Sequence, residues 1–352
     1  MESEMKTPKP SIWVLLGARA GDNAQAMELG RRLGGPVETR QLAFNTRSNL
    51  PNWMTGPGFF GLTSSSAEAL VPPWPDIVIG AGRRSAPVNL AIRQRSQGKT
   101  LAIHIGRPRM DAARFDMVLT TPQYGLPGGS NVVMLDFPFA VARDVPPQTL
   151  AAFDAMWSHF PRPWIVGVIG AAKFPIRFGV RDIEAFAQGL NDLARRMKGS
   201  VILMDSPRSL PGAIDLVAAG ITVPNWVWTR GHGDNPYQSA LRLGDAFAVT
   251  SDSVSMVAEM VQTGRPTYVH RLPVSSFVPS WQAQQGLGAR LARRGILSPP
   301  RSVAAYVERL SVKGWVGDLQ SGTPPRLSFV PSDEHDVAVQ RILTLWNGRA
   351  TG

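Results

Sequence analysis

An α/β fold with two strand–loop–helix domains is predicted by three observations. Short apolar runs alternate with amphipathic stretches along nearly the whole chain. The chain has 352 residues, above the roughly 250–300 at which a single hydrophobic core stops growing. The alternation breaks at residues 146–163, a stretch holding Pro146, Pro147, Pro161 and Pro163, and a second series begins after it.

The first domain is expected over residues 11–145. Residues 11–16 (SIWVLL) read as a strand, with a loop and a helix over 23–33 behind them. Residues 76–79 (DIVI) form the next strand, followed by a loop and a helix over 88–97. Strands are expected again at 101–105, 116–120 and 131–135. The linker 146–163 carries a short helix over 149–159. The second domain, 164–330, opens with a strand at 164–169 and has further strands at 201–204, 225–228, 246–250 and 267–270. Its helix over 182–197 repeats Ile183, Phe186, Leu190, Leu193 and Met197 at helical spacing, leaving Arg195 and Arg196 off the buried stripe. Residues 331–352 carry a C-terminal helix, over 334–346, able to return to the N-terminal domain.

With 18% charged and 43% hydrophobic residues, the chain is not a disordered one. Lys and Arg number 37 against 26 Asp and Glu, a net charge of +11. The excess is spread over pairs such as Arg31-Arg32, Arg83-Arg84, Arg195-Arg196 and Arg293-Arg294. A field of that sign favours anionic partners. Neither the aromatic-rich basic sheet motif of RNA-binding domains nor a zinc-finger pattern occurs, so nucleic acid is not expected as the partner. The absence of Cys excludes disulfides, thiolate nucleophiles and Cys-ligated metal sites. No run approaches the roughly 18 apolar residues of a membrane span, and the first residues are charged and Pro-bearing rather than signal-like. The expected location is cytoplasmic, with a basic surface suited to the anionic face of the inner membrane.

In doubly wound sheets ligands bind beyond the carboxyl ends of the strands, so five loops carry the chemistry to be weighed. In residues 17–25, Gly21, Asp22 and Gln25 follow the first strand without the G-x-G-x-x-G spacing of a dinucleotide site. Asp22 and Gln25 have capping-box spacing; Asp22 either caps the helix, acts as a general base at the loop, or both. In residues 80–85, Gly82 permits close approach of a ligand, and Arg83 and Arg84 suit phosphate or carboxylate unless they are only solvated. In residues 170–174, Gly170 and Lys173 can hold a diphosphate or form an ordinary turn. In residues 231–237, Asn235 and Tyr237 belong to a polar loop or simply begin a helix. The fifth loop, around residues 248–259, is the most informative. An apolar strand runs into Ser251, Asp252 and Ser253 and then a helix, whose free N–H groups make an anion site. Ser255 and Glu259, four apart, share a face opposite Met256, Val257, Met260 and Val261. The alternative is plain helix capping with Glu259 merely exposed.

That last cassette, with Gly264, Arg265 and Pro266 after it, resembles the nucleotide-sugar half-site of GT-B glycosyltransferases, such as those that use UDP-GlcNAc on lipid-linked acceptors. A closer resemblance is to the mitochondrial-fission ELM family of plant and bacterial proteins. It is carried by residues 17–26 (GARAGDNAQA), 76–87 (DIVIGAGRRSAP), 115–122 (FDMVLTTP), 235–237 (NPY) and 249–269, in order. Gln123-Tyr124 stands where family members often have His-Asp.

The resemblance implies a GT-B-like fold, two Rossmann-like domains facing across a cleft, and a metal-independent glycosyltransferase. A nucleoside-diphosphate sugar would be the co-substrate, with no other cofactor. Glu259 would hold the ribose; Ser253, Ser255, Gly170 and Lys173 the diphosphate; Asp252 would belong to the same donor site, and Asn235 and Tyr237 would lie beside the base. Gly21, Gln25, Gly82, Arg83 and Arg84 would meet a lipid-linked or glycan acceptor, with Asp22 as base. No D-x-D metal motif occurs in the chain. The resemblance equally admits a non-catalytic adaptor, since plant members act in recruiting a division dynamin. A dinucleotide enzyme is disfavoured by the missing glycine fingerprint and the absence of a Tyr-x-x-x-Lys pair.

Overall fold

The computed structural model describes residues 9–139, 144–170, 176–206, 209–274, 286–298 and 301–350. The chain divides into two compact units. One comprises Met1–Val141, Trp281–Arg301 and Ser332–Gly352; the other comprises Ala142–Ser280 and Ser302–Pro331.

Among the described residues, the first unit holds a six-stranded parallel sheet. Its strands are β1 (Ile12–Leu16), β2 (Val37–Gln41), β3 (Ile77–Ala81), β4 (Leu101–Ile105), β5 (Met117–Thr120) and β6 (Val132–Met134), in the order β2-β1-β3-β4-β5-β6. Side chains alternate between its two faces. Ile12, Val14, Ile77, Ile79, Leu101 and Ile103 pack on one side with Ala26 and Leu29 of the helix Ala20–Arg32. Trp13, Leu15, Val78 and Ala102 pack on the other with Val88, Leu90 and Ile92 of the helix Ala86–Arg95. Burial on both faces is why these strands read as continuous apolar runs. Strand β2 was not anticipated, because an edge strand with the sequence VETRQ has little apolar surface to betray it. Its Arg40 stacks 4.1 Å over the Trp13 ring and pairs with Glu38.

The helix Glu334–Ala350 belongs to this first unit. Ala338, Val339 and Ile342 complete the core beside Leu29. Its first residue is fastened by chemistry as well as packing: the Glu334 carboxylate accepts the backbone N–H groups of Asp136 at 2.7 Å and Phe137 at 2.9 Å. His335 stacks on Phe139 with ring centroids 4.3 Å apart.

The second unit, among its described residues, also holds a six-stranded parallel sheet. Strands β7 (Trp164–Val168), β8 (Ser200–Met204), β9 (Asn225–Trp228), β10 (Ala246–Thr250), β11 (Thr267–His270) and β12 (Gly317–Asp318) run in the order β12-β11-β10-β7-β8-β9. The helix Val180–Met197 buries Ile183, Phe186, Leu190 and Leu193 against this sheet, the stripe its spacing predicts. Each unit is therefore a Rossmann-like α/β domain. The strand order reverses between β1 and β3 in one and between β7 and β10 in the other, which are the topological switch points where such sheets bind ligands.

One stretch departs from the expected domain span of 164–330. The helix Gly286–Arg293 and the residues up to Arg301 cluster with the first unit. At Gly295, with φ +74°, a Cβ would run into the backbone of Arg109 and Met110. This close approach of two chain segments is invisible to local periodicity.

Candidate functional site

At the switch point of the second unit, the loops after β7 and β10 are bonded to each other. Gly170 donates its N–H to Thr250 Oγ1 at 2.8 Å, and that hydroxyl donates to Asp252 Oδ1 at 2.6 Å. The Asp252 carboxylate occupies the place a Cβ at residue 170 would take, so this position admits only glycine without rearrangement. Thr250, inside the apolar strand, was not singled out by sequence reasoning; nothing in the local pattern separates it from a core threonine.

Asp252 therefore does not cap the following helix. Ser253 is the N-cap of Val254–Val261, its hydroxyl accepting from the N–H of Met256 at 3.5 Å. Met256, Val257, Met260 and Val261 are buried; Ser255 is exposed and Glu259 half-buried on the opposite face. The phenol of Tyr237 donates to Glu259 Oε2 at 2.7 Å. Burial, then the neighbouring Glu259 charge, push that phenol well above its ordinary range, so it remains a donor. Asn235 is exposed and accepts the N–H of Tyr237 at 2.9 Å, starting the helix Tyr237–Leu243. The sequence reading places Asn235 and Tyr237 beside a base; the structure gives both a bonding role inside the loop as well. Lys173 lies outside the described residues.

At the switch point of the first unit, the capping-box reading of Asp22 and Gln25 is corrected. The helix begins at Ala20 with Arg19 as N-cap and no side-chain cap, so Asp22 is its third residue. Gln25 donates to the carbonyl of Gly21 at 3.3 Å within the same helix. The loop is closed instead by Asn23, which accepts from the Gly17 N–H and donates to the Gly17 carbonyl, both at 2.8 Å. The Asp22 carboxylate, half-buried, meets the loop after β3: a Cβ on Gly82, at φ +74°, would lie 2.7 Å from Asp22 Oδ2. Gly21 is exposed with open space around it.

Arg83 and Arg84 point at the segment before them. Arg83 donates to the carbonyls of Ser48 at 2.6 Å and Leu50 at 2.9 Å, and Arg84 to Asn49 Oδ1 at 3.0 Å. A guanidinium has five N–H donors, so both retain capacity for an anion while anchoring residues 48–50. The loops after β4 and β5 add residues that sequence reasoning missed. Arg107 is 5% exposed. Tyr124 packs on Gly106 and lies 4.6 Å below the Arg301 guanidinium. The signal was present in the sequence as a second strand–Gly–Arg ending, Gly106-Arg107, parallel to Gly82-Arg83. Among the described residues no group of three or more His, Asp or Glu comes together as a metal site, and no helix is long and apolar enough to cross a membrane.

Comparison with known proteins bears on this arrangement. The sequence profile of the family described as Mitochondrial fission ELM1 matches residues 20–315. The chain belongs to the mitochondrial fission ELM1 family. Its relatives in this ELM1 family include Mitochondrial fission protein ELM1 of Arabidopsis thaliana, 26% identical over 235 residues, covering 59% of this chain and 54% of the plant protein. The chain thus spans about half the length of that relative. Similar solved structures include a glycosyltransferase from Rickettsia africae ESF-5, at 10% identity, 87% and 98% coverage of the two chains and a TM-score of 0.48. A UDP-GlcNAc 2-epimerase from Neisseria meningitidis, bound to UDP-GlcNAc, matches at 10% identity, 95% and 99% coverage and a TM-score of 0.44. The family resemblance read from the sequence is borne out, as is its expectation of two Rossmann-like domains.

Proposed function

We propose that this ELM1-family chain is a metal-independent glycosyltransferase that takes a nucleoside-diphosphate sugar in its second unit. The observation that carries the reading is the bonded assembly at the β7–β10 switch point. Gly170, Thr250, Asp252 and Ser253 form a tight floor at the start of a helix, and Tyr237 holds the carboxylate of Glu259, the sixth residue of that helix. A carboxylate oriented by a hydrogen bond is pre-organised to accept ribose hydroxyls. The hydroxyls of Ser253 and Ser255, the helix N-terminus and Lys173 supply the diphosphate contacts. The loop of Asn235 and Tyr237 lies beside the base.

In the first unit, Asp22 takes the proton of an acceptor hydroxyl. The acceptor oxygen bonds to the anomeric carbon while the bond from that carbon to the diphosphate breaks. Charge on the leaving diphosphate is stabilised by the helix end and basic groups. A lipid-linked or glycan acceptor fits a chain of net charge +11 whose first unit exposes Trp53, Met54 and Phe60, with Arg47 stacked over the Phe60 ring. That combination suits peripheral binding to an anionic membrane.

The test is calorimetric titration of the purified chain with UDP, GDP and CMP, alongside Glu259→Ala. Saturable binding of one nucleotide, lost in the variant, is the expected result. The family itself supports a second reading, a non-catalytic adaptor that keeps the fold and recruits protein partners. Absence of binding at millimolar nucleotide would favour that adaptor and end the transferase reading.

A further inference from the structure

The first unit gathers arginines from four separate places in the chain. Arg19 is the N-cap of the helix Ala20–Arg32; Arg107 and Arg109 follow β4; Arg301 precedes the helix Val303–Val312 and clusters with the first unit; and Arg83 borders them from the loop after β3. The grouping is electrostatic as well as topological. Arg109 is pushed down by burial and then by Arg301 and Arg19, and Arg107 is pushed down to about 10 by burial and then by Arg109 and Arg301. Arg83 is likewise lowered by burial and then by Arg109, Arg84 and Arg19. Asp22 and Tyr124 lie within the same field, for Tyr124 is raised by burial, with Arg301 opposing and Asp22 assisting.

Like charges do not collect at one sheet edge without compensation. Among the described residues, Arg19, Arg109 and Arg301 have no carboxylate within ion-pair distance, and no acid offsets the lowering of Arg83 or Arg109; Asp22 acts on Tyr124 alone. The scaffold nevertheless holds them in place. Arg109 adopts φ +53°, a conformation glycine takes more easily, and its carbonyl abuts the bare Cα of Gly295. The segment carrying Gly295 thus braces Arg109, and it delivers Arg301, six residues on, over the Tyr124 ring at 4.6 Å.

We propose that Arg19, Arg107 and Arg109, after β1 and β4, together with Arg301 over the Tyr124 ring, form a site for a phosphoryl dianion, with the Tyr124 phenol beside it. A dianion with several oxygens matches multiple guanidinium forks where a single carboxylate does not. This deepens the acceptor half of the proposed function, on which it rests for its biological meaning: the acceptor carries its phosphate or diphosphate near the Asp22 carboxylate.

The experiment uses the full chain with inorganic pyrophosphate as probe, titrated calorimetrically against wild type, Arg109→Gln and Arg301→Gln. Both side chains are exposed, so neither variant threatens the core. Pyrophosphate binding weakened at least about tenfold in each variant supports the site. UDP is titrated in parallel as the probe of the second unit, and Glu259→Ala serves as the reciprocal control. Absence of UDP, GDP and CMP binding to the wild-type chain, with pyrophosphate binding intact, ends the donor reading and leaves this site standing. UDP binding without any pyrophosphate binding at millimolar concentration, or pyrophosphate binding indifferent to both substitutions, overturns the site and leaves the donor reading standing. Sedimentation with phosphatidylcholine vesicles containing phosphatidic acid identifies the source. Sedimentation lost in the two variants and reversed by pyrophosphate supports a lipid phosphate; variant-sensitive pyrophosphate binding without sedimentation supports a soluble one.

Discussion

Tyr237 and Glu259 are joined by a 2.7 Å hydrogen bond between a half-buried phenol and a carboxylate 22 positions away. This contact ties the polar loop after β9 to the helix after β10. It converts Glu259 from an exposed helical acid into an oriented acceptor. Tyr237→Phe removes the bond and little else. A hydrogen bond to a charged group is worth about 1.5–3 kcal/mol, so the variant should melt several degrees lower. Its nucleotide affinity should fall about tenfold, less than the loss in Glu259→Ala. An unchanged melting temperature together with an unchanged affinity would falsify the orienting role.

Gly170→Ala tests the floor of the same site. The added methyl meets the Asp252 carboxylate, which must move and release the Thr250 hydroxyl. Overpacking of this kind costs about 1–3 kcal/mol, measurable by urea denaturation. Nucleotide affinity should drop with it, because Thr250 and Gly170 would no longer be held together. The companion Gly21→Ala has open space around it and should leave stability nearly unchanged.

Asp22→Asn separates binding from chemistry. General-base catalysis contributes about 10²–10⁴ in rate, so release of nucleoside diphosphate during transfer should fall by that order. Donor affinity, proposed for the second unit, should stay as in wild type. Turnover that survives the substitution removes Asp22 from the base role.

Glu334 fastens the C-terminal helix through two backbone N–H groups. Replacing it with Ala leaves those donors, after β6, without their acceptor. A destabilisation of about 2–4 kcal/mol is expected, together with faster proteolysis of the helix 334–350. Equal cleavage rates in wild type and Glu334→Ala would show that packing of Ala338, Val339 and Ile342 suffices.

His104 provides a pH signature. It lies at the centre of the first sheet, fully buried, with no partner for either ring nitrogen among the described residues. Burial lowers its pKa from 6.5 to about 3. Above 6.5 the ring is neutral folded and unfolded, and the shift has no effect. Below 6.5 the unfolded chain takes up a proton that the folded chain refuses, so stability falls as pH drops toward 3. The slope approaches about 1.4 kcal/mol per pH unit for one such group. His270, lowered by burial against the raising influence of Asp182 and Asp318, adds a shift of the same sign. His104→Leu should flatten the acid limb between pH 6 and 4 in chemical denaturation; an identical limb in the variant would assign acid sensitivity elsewhere.

Much of the architecture follows from the sequence alone. Parallel strands buried on both faces are largely apolar, so residues 101–105 and 246–250 were legible to the residue; the short β-branched and aromatic runs 225–228 and 267–270 were as well. The helical stripe of Ile183, Phe186, Leu190 and Leu193 and the shared face of Ser255 and Glu259 follow from a 3.6-residue period. The family motifs along residues 17–269 belong to the same level, because they are strings read in order. The start of the helix at Ala20 was less legible, since an exposed Arg19 at the N-cap gives no capping signal.

Tertiary structure alone decided which distant segments meet. Nothing in residues 281–301 indicates that they return to the first unit, bringing Gly295 against Arg109 and Arg301 over Tyr124. Nothing local pairs Tyr237 with Glu259, Gly170 with Asp252, or Glu334 with the N–H groups of residues 136 and 137. The physical reason is one of range. Periodicity records which face of an element is buried, a property of neighbouring residues. A site is a meeting of strand ends, and its members are chosen by sheet order and crossover path, which no short window of sequence contains.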